Sequence, residues 1–316
     1  MRRERLAYAA LAVAILGWGS LAVAAKPIVP IVGAPLIALD RTTIAAVLLS
    51  AICITRDKSI APLWRELSSR PIALLLLGIS SFFASSLLVL IALNYIPASI
   101  ASILNNIAPL WLALGTAVWG KSRRPLLLAA GSGLALAGVA LILAPRGSAF
   151  GTLDWRGVVI CIASSFVIAA QAIIGRRMMP GRDALVVTAS SAIVTVPLLF
   201  ATSVATTGFS PLIGISWTTA SLLIYLGVFC TATNFACFNY ALKHMPATRA
   251  ANVTYLVPCV SVVLAVLILH EHAGWNLVAG LAAAIGGIVL AHRGTVVTTA
   301  RRPMTKLPSD PLAAKL

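Results

Sequence analysis

A few polar side chains stand inside long apolar runs of this sequence, and their types suit holding a molecule better than making or breaking bonds. Arg41 is the sharpest of them. It lies about six residues into an apolar run, on the order of 9 Å deep at 1.5 Å per helical residue. There its guanidinium can attract a carboxylate or another anionic group; the competing reading lets it snorkel to the nearer interface. Asp40, beside it, is the only carboxylate inside any such run, and reads as a proton acceptor or as a residue near the surface. Asn105 and Asn106 lie about one-third of the way into the fourth run. Asn105 shares a helix face with Pro109, whose missing N–H frees a backbone carbonyl, so Pro109 and Pro258 are expected to kink their helices. Ser85, Gln171, Asn234 and Tyr255 are further mid-run polar groups, able to line a cavity or to bond helix to helix. Trp18 is also mid-run, whereas tryptophans favour interfaces, so it is a candidate to stack on a bound molecule; Trp111 reads as packing.

No set of groups for covalent chemistry accompanies them. His244, His270, His272 and His292 fall at the ends of apolar runs, and His270-Glu271-His272 lacks the i,i+4 spacing of a zinc helix. Cys53, Cys161, Cys230, Cys237 and Cys259 lie inside apolar runs without metal-ligand spacing and read as small buried hydrophobes. The stretch GSGLALAG has the wrong spacing for a dinucleotide fingerprint. An enzyme is therefore not expected, nor a metal or cofactor. A channel would want rings of charge or a carbonyl filter, and neither is visible.

The elements that position these groups follow from composition. The chain has 316 residues, 60% hydrophobic and 10% charged, against roughly 45–50% and 25% in soluble domains. So few charges cannot clothe a water-exposed surface, and the apolar excess calls for lipid as solvent. The net charge of +16 would suggest nucleic acid in a soluble chain. Here the basic residues separate apolar runs without interleaved aromatics, so the expected partner is the bilayer, not nucleic acid. Runs of spanning length cover Leu6–Ala25, Pro35–Thr55, Ile72–Leu93, Ala98–Trp119, Pro125–Ala144, Gly157–Gly175, Ala184–Ser203, Trp217–Leu242, Ala250–Leu269 and Gly274–Ala291. The first resembles a signal peptide but is long enough to be a retained span. With a cytoplasmic N-terminus, 20 of the 24 lysines and arginines fall on the inner side, and only Lys26, Arg41, Arg146 and Arg156 on the outer. That asymmetry places both termini in the cytoplasm.

The sequence also repeats itself. ALNYIPASIASILNNIAPL, from Ala92 to Leu110, is matched by ALKHMPATRAANVTYLVPC, from Ala241 to Cys259, at a constant offset of 149 residues. The offset runs on to Gly131, Gly138 and Leu141, which meet Gly280, Gly287 and Leu290. Five spans per copy is an odd number, so the second copy inserts inverted, and loop charges agree: the turn at Lys121, Arg123 and Arg124 is basic while its copy at His270–His272 is not. The expected fold is all-α, with ten transmembrane helices in two inverted five-helix repeats, 1–148 and 149–293, and a disordered cytoplasmic tail over 294–316. Inverted repeats around a midplane site are the architecture of alternating-access carriers.

At these residues the chain resembles the EamA-type domain of the drug/metabolite transporter superfamily, present twice. The resemblance is carried by Trp18-Gly19-Ser20, by ALNYIPAS…P and ALKHMPAT…P, and by the glycine-rich GSGLALAGVALIL and AGLAAAIGGIVLA. It implies ten helices, cytoplasmic termini and a solute cavity between the halves. Members move amino acids, nucleotide-sugar-like metabolites or toxic organic compounds, often outward. Many carry a glutamate just after the fourth and ninth helices; Glu271 fits the second place, while Ser122 stands at the first, and Asp40 beside Arg41 is a further departure. The expectation is a secondary transporter in the cytoplasmic membrane. It exports a small metabolite, foremost an amino acid or related zwitterion, and drug efflux is the alternative.

Overall fold

The computed structural model describes residues 2–118, 124–144, 154–245, 254–272 and 274–295. Trp119, Lys121, Ser122, Arg123, Pro246, Ala247, Ala250 and the expected tail from residue 296 lie outside the described residues.

Every regular element among the described residues is helical. In chain order they are α1 (Arg2–Ala25), α2 (Val29–Val32), α3 (Ala34–Asp57), α4 (Ala61–Ser69), α5 (Pro71–Gly78), a π-helical stretch (Ile79–Ala84) and α6 (Ser85–Ala92). Then come α7 (Ala98–Asn105), α8 (Ala108–Val118), α9 (Pro125–Leu143), α10 (Trp155–Met178), α11 (Ala184–Thr206) and α12 (Trp217–Gly227). A second π-helical stretch (Val228–Thr233) leads into α13 (Asn234–His244); a 3₁₀ turn (Thr254–Leu256), α14 (Val257–Leu269) and α15 (Trp275–Thr295) complete the fold. Nine helical segments among the described residues are long and apolar enough to cross a membrane, and Thr254–Leu269 is a shorter apolar helix. Local chemistry sets their starts. Proline occupies the first helical positions of α3, α5, α9 and α14, where its missing N–H has no partner to lose. Asp183 caps α11 by accepting from the N–H groups of Leu185 and Val186.

Two features differ from a plain bundle of spans. The basic segment between the second and third spans folds into α4, with Leu63 buried and Trp64 exposed, as in a helix lying along an interface. The third and eighth spans are each interrupted by a wide π-helical stretch at the same place in the repeat, 149 residues apart.

Packing joins the two halves reciprocally. α1 packs on α13 and α14, while α10, the element matching α1 in the repeat, packs on α6, α7 and α8. Gly78 lies against Ser191 and Thr195 of α11, and its counterpart Gly227 lies against Ile44 of α3. The largest helix pair is α9 with α15. Gly131 meets Gly287 and Gly138 meets Gly280, so these two helices run antiparallel with backbones in direct contact.

Candidate functional site

A cavity of about 340 Å³ lies at the centre of the bundle, between α1, α3, the two π-containing spans, α7, α10 and the start of α14. The wide turns shape its wall. Along the third span Ser80, Ser81 and Ser85 bond to carbonyls of their own preceding turn, and in the second π-helical stretch Thr231 Oγ1 bonds Leu226 O at 2.8 Å; Ser81 and Ser85 line the cavity.

Arg41 projects from α3 into this wall and is 9% exposed. Its Nε donates to Thr231 Oγ1 and its Nη1 to Ser86 Oγ, each at 3.1 Å. Among the described residues Nη2 has no hydrogen-bond partner and no carboxylate lies within ion-pair distance of Arg41. A buried guanidinium held by two hydroxyls keeps one donor edge for an incoming acceptor. The structure thus places Arg41 in the cavity wall.

Opposite stand the amides. Asn105, Asn106 and Gln171 line the cavity. Ser164 Oγ bonds Asn105 Oδ1 at 2.7 Å, and Asn106 Nδ2 donates to Ser102 O at 2.8 Å. Both asparagines fall where the fourth span breaks: α7 ends at Asn105, and α8 restarts at Ala108 with Pro109 as its second residue. At Pro109 the helix is interrupted and restarted, a sharper change than a kink, while Pro258 stands at the start of α14, as its second residue, directly after the 3₁₀ turn. A third wall is aromatic: Trp18 packs edge-on against Phe238 at 5.1 Å and Phe235 at 6.1 Å, and Phe235 meets Phe82 at 5.2 Å. Trp18 and Ser85 both line the cavity.

Three expected residues are placed elsewhere. Asn234 is fully buried and wedged against Gly17 of α1; its Nδ2 donates to Cys230 O, and it does not line the cavity. Tyr255 lines a smaller adjoining chamber of about 200 Å³. Asp40 lines neither chamber, and its Oδ2 is buried without a hydrogen-bond partner among the described residues. Trp111 donates to Ser165 Oγ at 2.7 Å and stacks on Phe166, consistent with packing. Thr42, Ser86, Ser102 and Phe235 line the cavity as well. None of these four was singled out by the sequence; Ser86 is the chain neighbour of Ser85, which was.

At one end of the bundle charged side chains tie neighbouring segments together. Glu271 accepts from the N–H groups of Ala98 (2.7 Å) and Ser99 (3.1 Å) and from Ser99 Oγ (2.5 Å), capping α7. Lys26 Nζ donates to the carbonyls of Leu93 (2.5 Å) and Ile96 (2.9 Å). Burial lowers the Lys26 pKa below the ordinary lysine value, with the charge of Glu271 pushing back. At the opposite end Arg56 pairs with Asp183 at 3.0 Å, and Arg182 pairs with Glu66.

Membrane-length helices around a chamber with an arginine, amides and aromatic rings define a class: a polytopic membrane protein with a central solute-sized cavity. The chain belongs to the EamA-like transporter family, which it matches over residues 5–144 and 155–293. The resemblance carried by Trp18-Gly19-Ser20 and the paired proline motifs is thereby borne out. An uncharacterized transporter of Archaeoglobus fulgidus is 31% identical over 247 residues, 76% of this chain and 77% of that one. An uncharacterized transporter of Bacillus subtilis is 26% identical, covering 80% of each chain. A protein of Streptantibioticus cattleyicolor named as a probable terminal-alkyne amino-acid exporter is 27% identical over 64% of this chain and 66% of its own. A solved crystal structure shares the fold, with a TM-score of 0.65 at 21% identity over 97% of this chain and 99% of that one. Family and relatives make this chain a membrane transporter.

Proposed function

We propose that the chain is a secondary transporter that exports a small zwitterionic metabolite, most simply an amino acid, by alternating access of two inverted halves around the central cavity. The observation that carries this reading is Arg41. It is buried in the cavity wall, and among the described residues its Nη2 is unpaired and no carboxylate lines the same cavity. Such a wall attracts a carboxylate, leaves the ammonium to amide oxygens and helix-break carbonyls, and disfavours net cations. The aromatic wall accepts an apolar substituent. The S. cattleyicolor relative's printed name agrees with an amino-acid cargo. Support for inversion comes from the antiparallel α9–α15 pair and from the reciprocal glycine contacts, in which matched residues exchange partners between halves. Alternation would break in turn the polar ties at Lys26 and Glu271 at one end and the ion pairs at Arg56 and Asp183 at the other. On this reading Trp18, Ser85, Asn105, Asn106 and Gln171 contact the solute, with Tyr255 beside them, and Asp40 is a candidate for proton coupling.

The test is uptake and counterflow in proteoliposomes over a panel of amino acids, with and without a pH gradient. Arg41→Gln should weaken apparent affinity for zwitterions about 10- to 100-fold, the weight of a charge-assisted hydrogen bond. Unchanged low-concentration uptake in that variant overturns the role of Arg41. A second reading, efflux of amphipathic organic compounds, draws on the rings of Trp18, Phe82, Phe235 and Phe238. It predicts that neutral aromatic compounds compete and that Arg41→Gln leaves them unaffected.

A further inference from the structure

The smaller chamber carries an inference that rests on the zwitterion reading and goes past it. About 200 Å³ in size, it is lined by residues of both α10 and α15, which each pack on α8. Its lining is apolar: Ile168 and Ala172 on one side, Leu281, Ile285 and Ile288 on the other, with Pro258 at its base. It shares Asn105, Asn106, Ile168 and Thr254 with the main cavity. The two chambers therefore adjoin at the broken stretch of the fourth span, and the amides stand on their boundary. A chamber with a fixed cation leads into one lined mostly by aliphatic side chains, and that order matches a molecule with a charged head and an apolar tail.

We propose that this side chamber is a side-chain subsite: the solute's head is held at Arg41 and the amides, and its branched aliphatic or aromatic substituent enters the space between α10 and α15. An apolar cavity of about 150 Å³ accepts benzene, so 200 Å³ accommodates a leucine-sized group or a single ring. Discrimination in such a slot comes from methylene count, because each buried CH₂ contributes a near-constant increment of transfer free energy. The chamber thus favours large apolar amino acids over alanine or glycine, and rejects side chains that would bring a second charge into it.

The full chain in proteoliposomes tests this by competition against a labelled substrate. Two series are used: glycine, alanine, leucine and phenylalanine, and the carboxamides of the same four, which lack the carboxylate. Leucine should compete at least about tenfold better than alanine, from the three added carbons. Ala172→Leu, which fills the chamber, should collapse that leucine-to-alanine ratio toward one. Leu281→Ala, which enlarges it, should shift preference from leucine toward phenylalanine. A flat ranking by side-chain size, or a ratio that both variants leave unchanged while the proteins remain monodisperse, overturns the subsite. If the carboxamides match the free acids in strength while tail size still ranks both series, the subsite stands and the carboxylate reading at Arg41 falls. If neither series competes, both fall.

Discussion

At Arg41 the neighbours decide the chemistry. A guanidinium in a membrane helix is costly unless its donors are met, and Thr231 and Ser86 meet two of them. Thr231→Val or Ser86→Ala should therefore loosen the guanidinium and weaken zwitterion competition about 2- to 10-fold, one hydrogen bond's worth. Combined with Arg41→Gln, either change should add little, because the residues act as a unit. Non-additivity in a transport competition series is the readout. Arg41 was legible in the sequence because charge inside an apolar run is rare. Thr231 and Ser86 were not, since hydroxyls are common in such runs and bond to their own helix at no cost. Asn234 was expected in the cavity as the repeat partner of Ser85, but its contact with Gly17 joins residues far apart in the chain, and no local spacing encodes it.

Helices here depend on where glycine is indispensable and where it is merely present. A methyl on Gly138 would fall 2.5 Å from the backbone nitrogen of Ala284, whereas one on Gly133 meets nothing within 4 Å. Gly138→Ala should destabilise the α9–α15 pair by about 1–3 kcal/mol, the usual cost of overpacking. Gly133→Ala should be neutral or slightly stabilising, because alanine is the better helix former. Thermal unfolding in detergent separates the two. The Glu271 cap ties the start of α7 to the segment preceding α15. Glu271→Ala should open that end, seen as faster labelling of a cysteine placed at Ser102 by an impermeant maleimide, in a background without the native cysteines. The sequence showed both glycine-rich helices and the glutamate by motif. It could not show which glycine touches which, because that depends on the crossing of two helices distant in the chain.

For the molecule as a whole, hydrophobic length and basic charge carried most of the architecture. The nine described spans begin and end within a few residues of where apolar runs meet prolines, glycines or charges. Packing across the halves was only implied by the 149-residue offset; the mid-run polar residues Arg41, Asn105, Asn106 and Gln171 pointed to a cavity, but its shape and the second chamber were not legible, since their walls gather residues from six or more elements. If the halves are inverted, single cysteines at Asn94 and at Arg65 should label from opposite sides of the membrane, and those at Asn94 and His270 from the same side.

The paired wide turns bear on how this protein can vary. One residue of α-helix corresponds to a rotation of about 100°. Shortening Ile79–Ala84 or Val228–Thr233 by a single residue would therefore swing everything downstream in that span by more than a quarter turn. Ser85 and Ser86 would leave the cavity in the first case, and Phe235 and Phe238 in the second. Substitution elsewhere could not bring them back, so the number of residues in these two spans is as much a determinant of what the chamber holds as the side chains that face it.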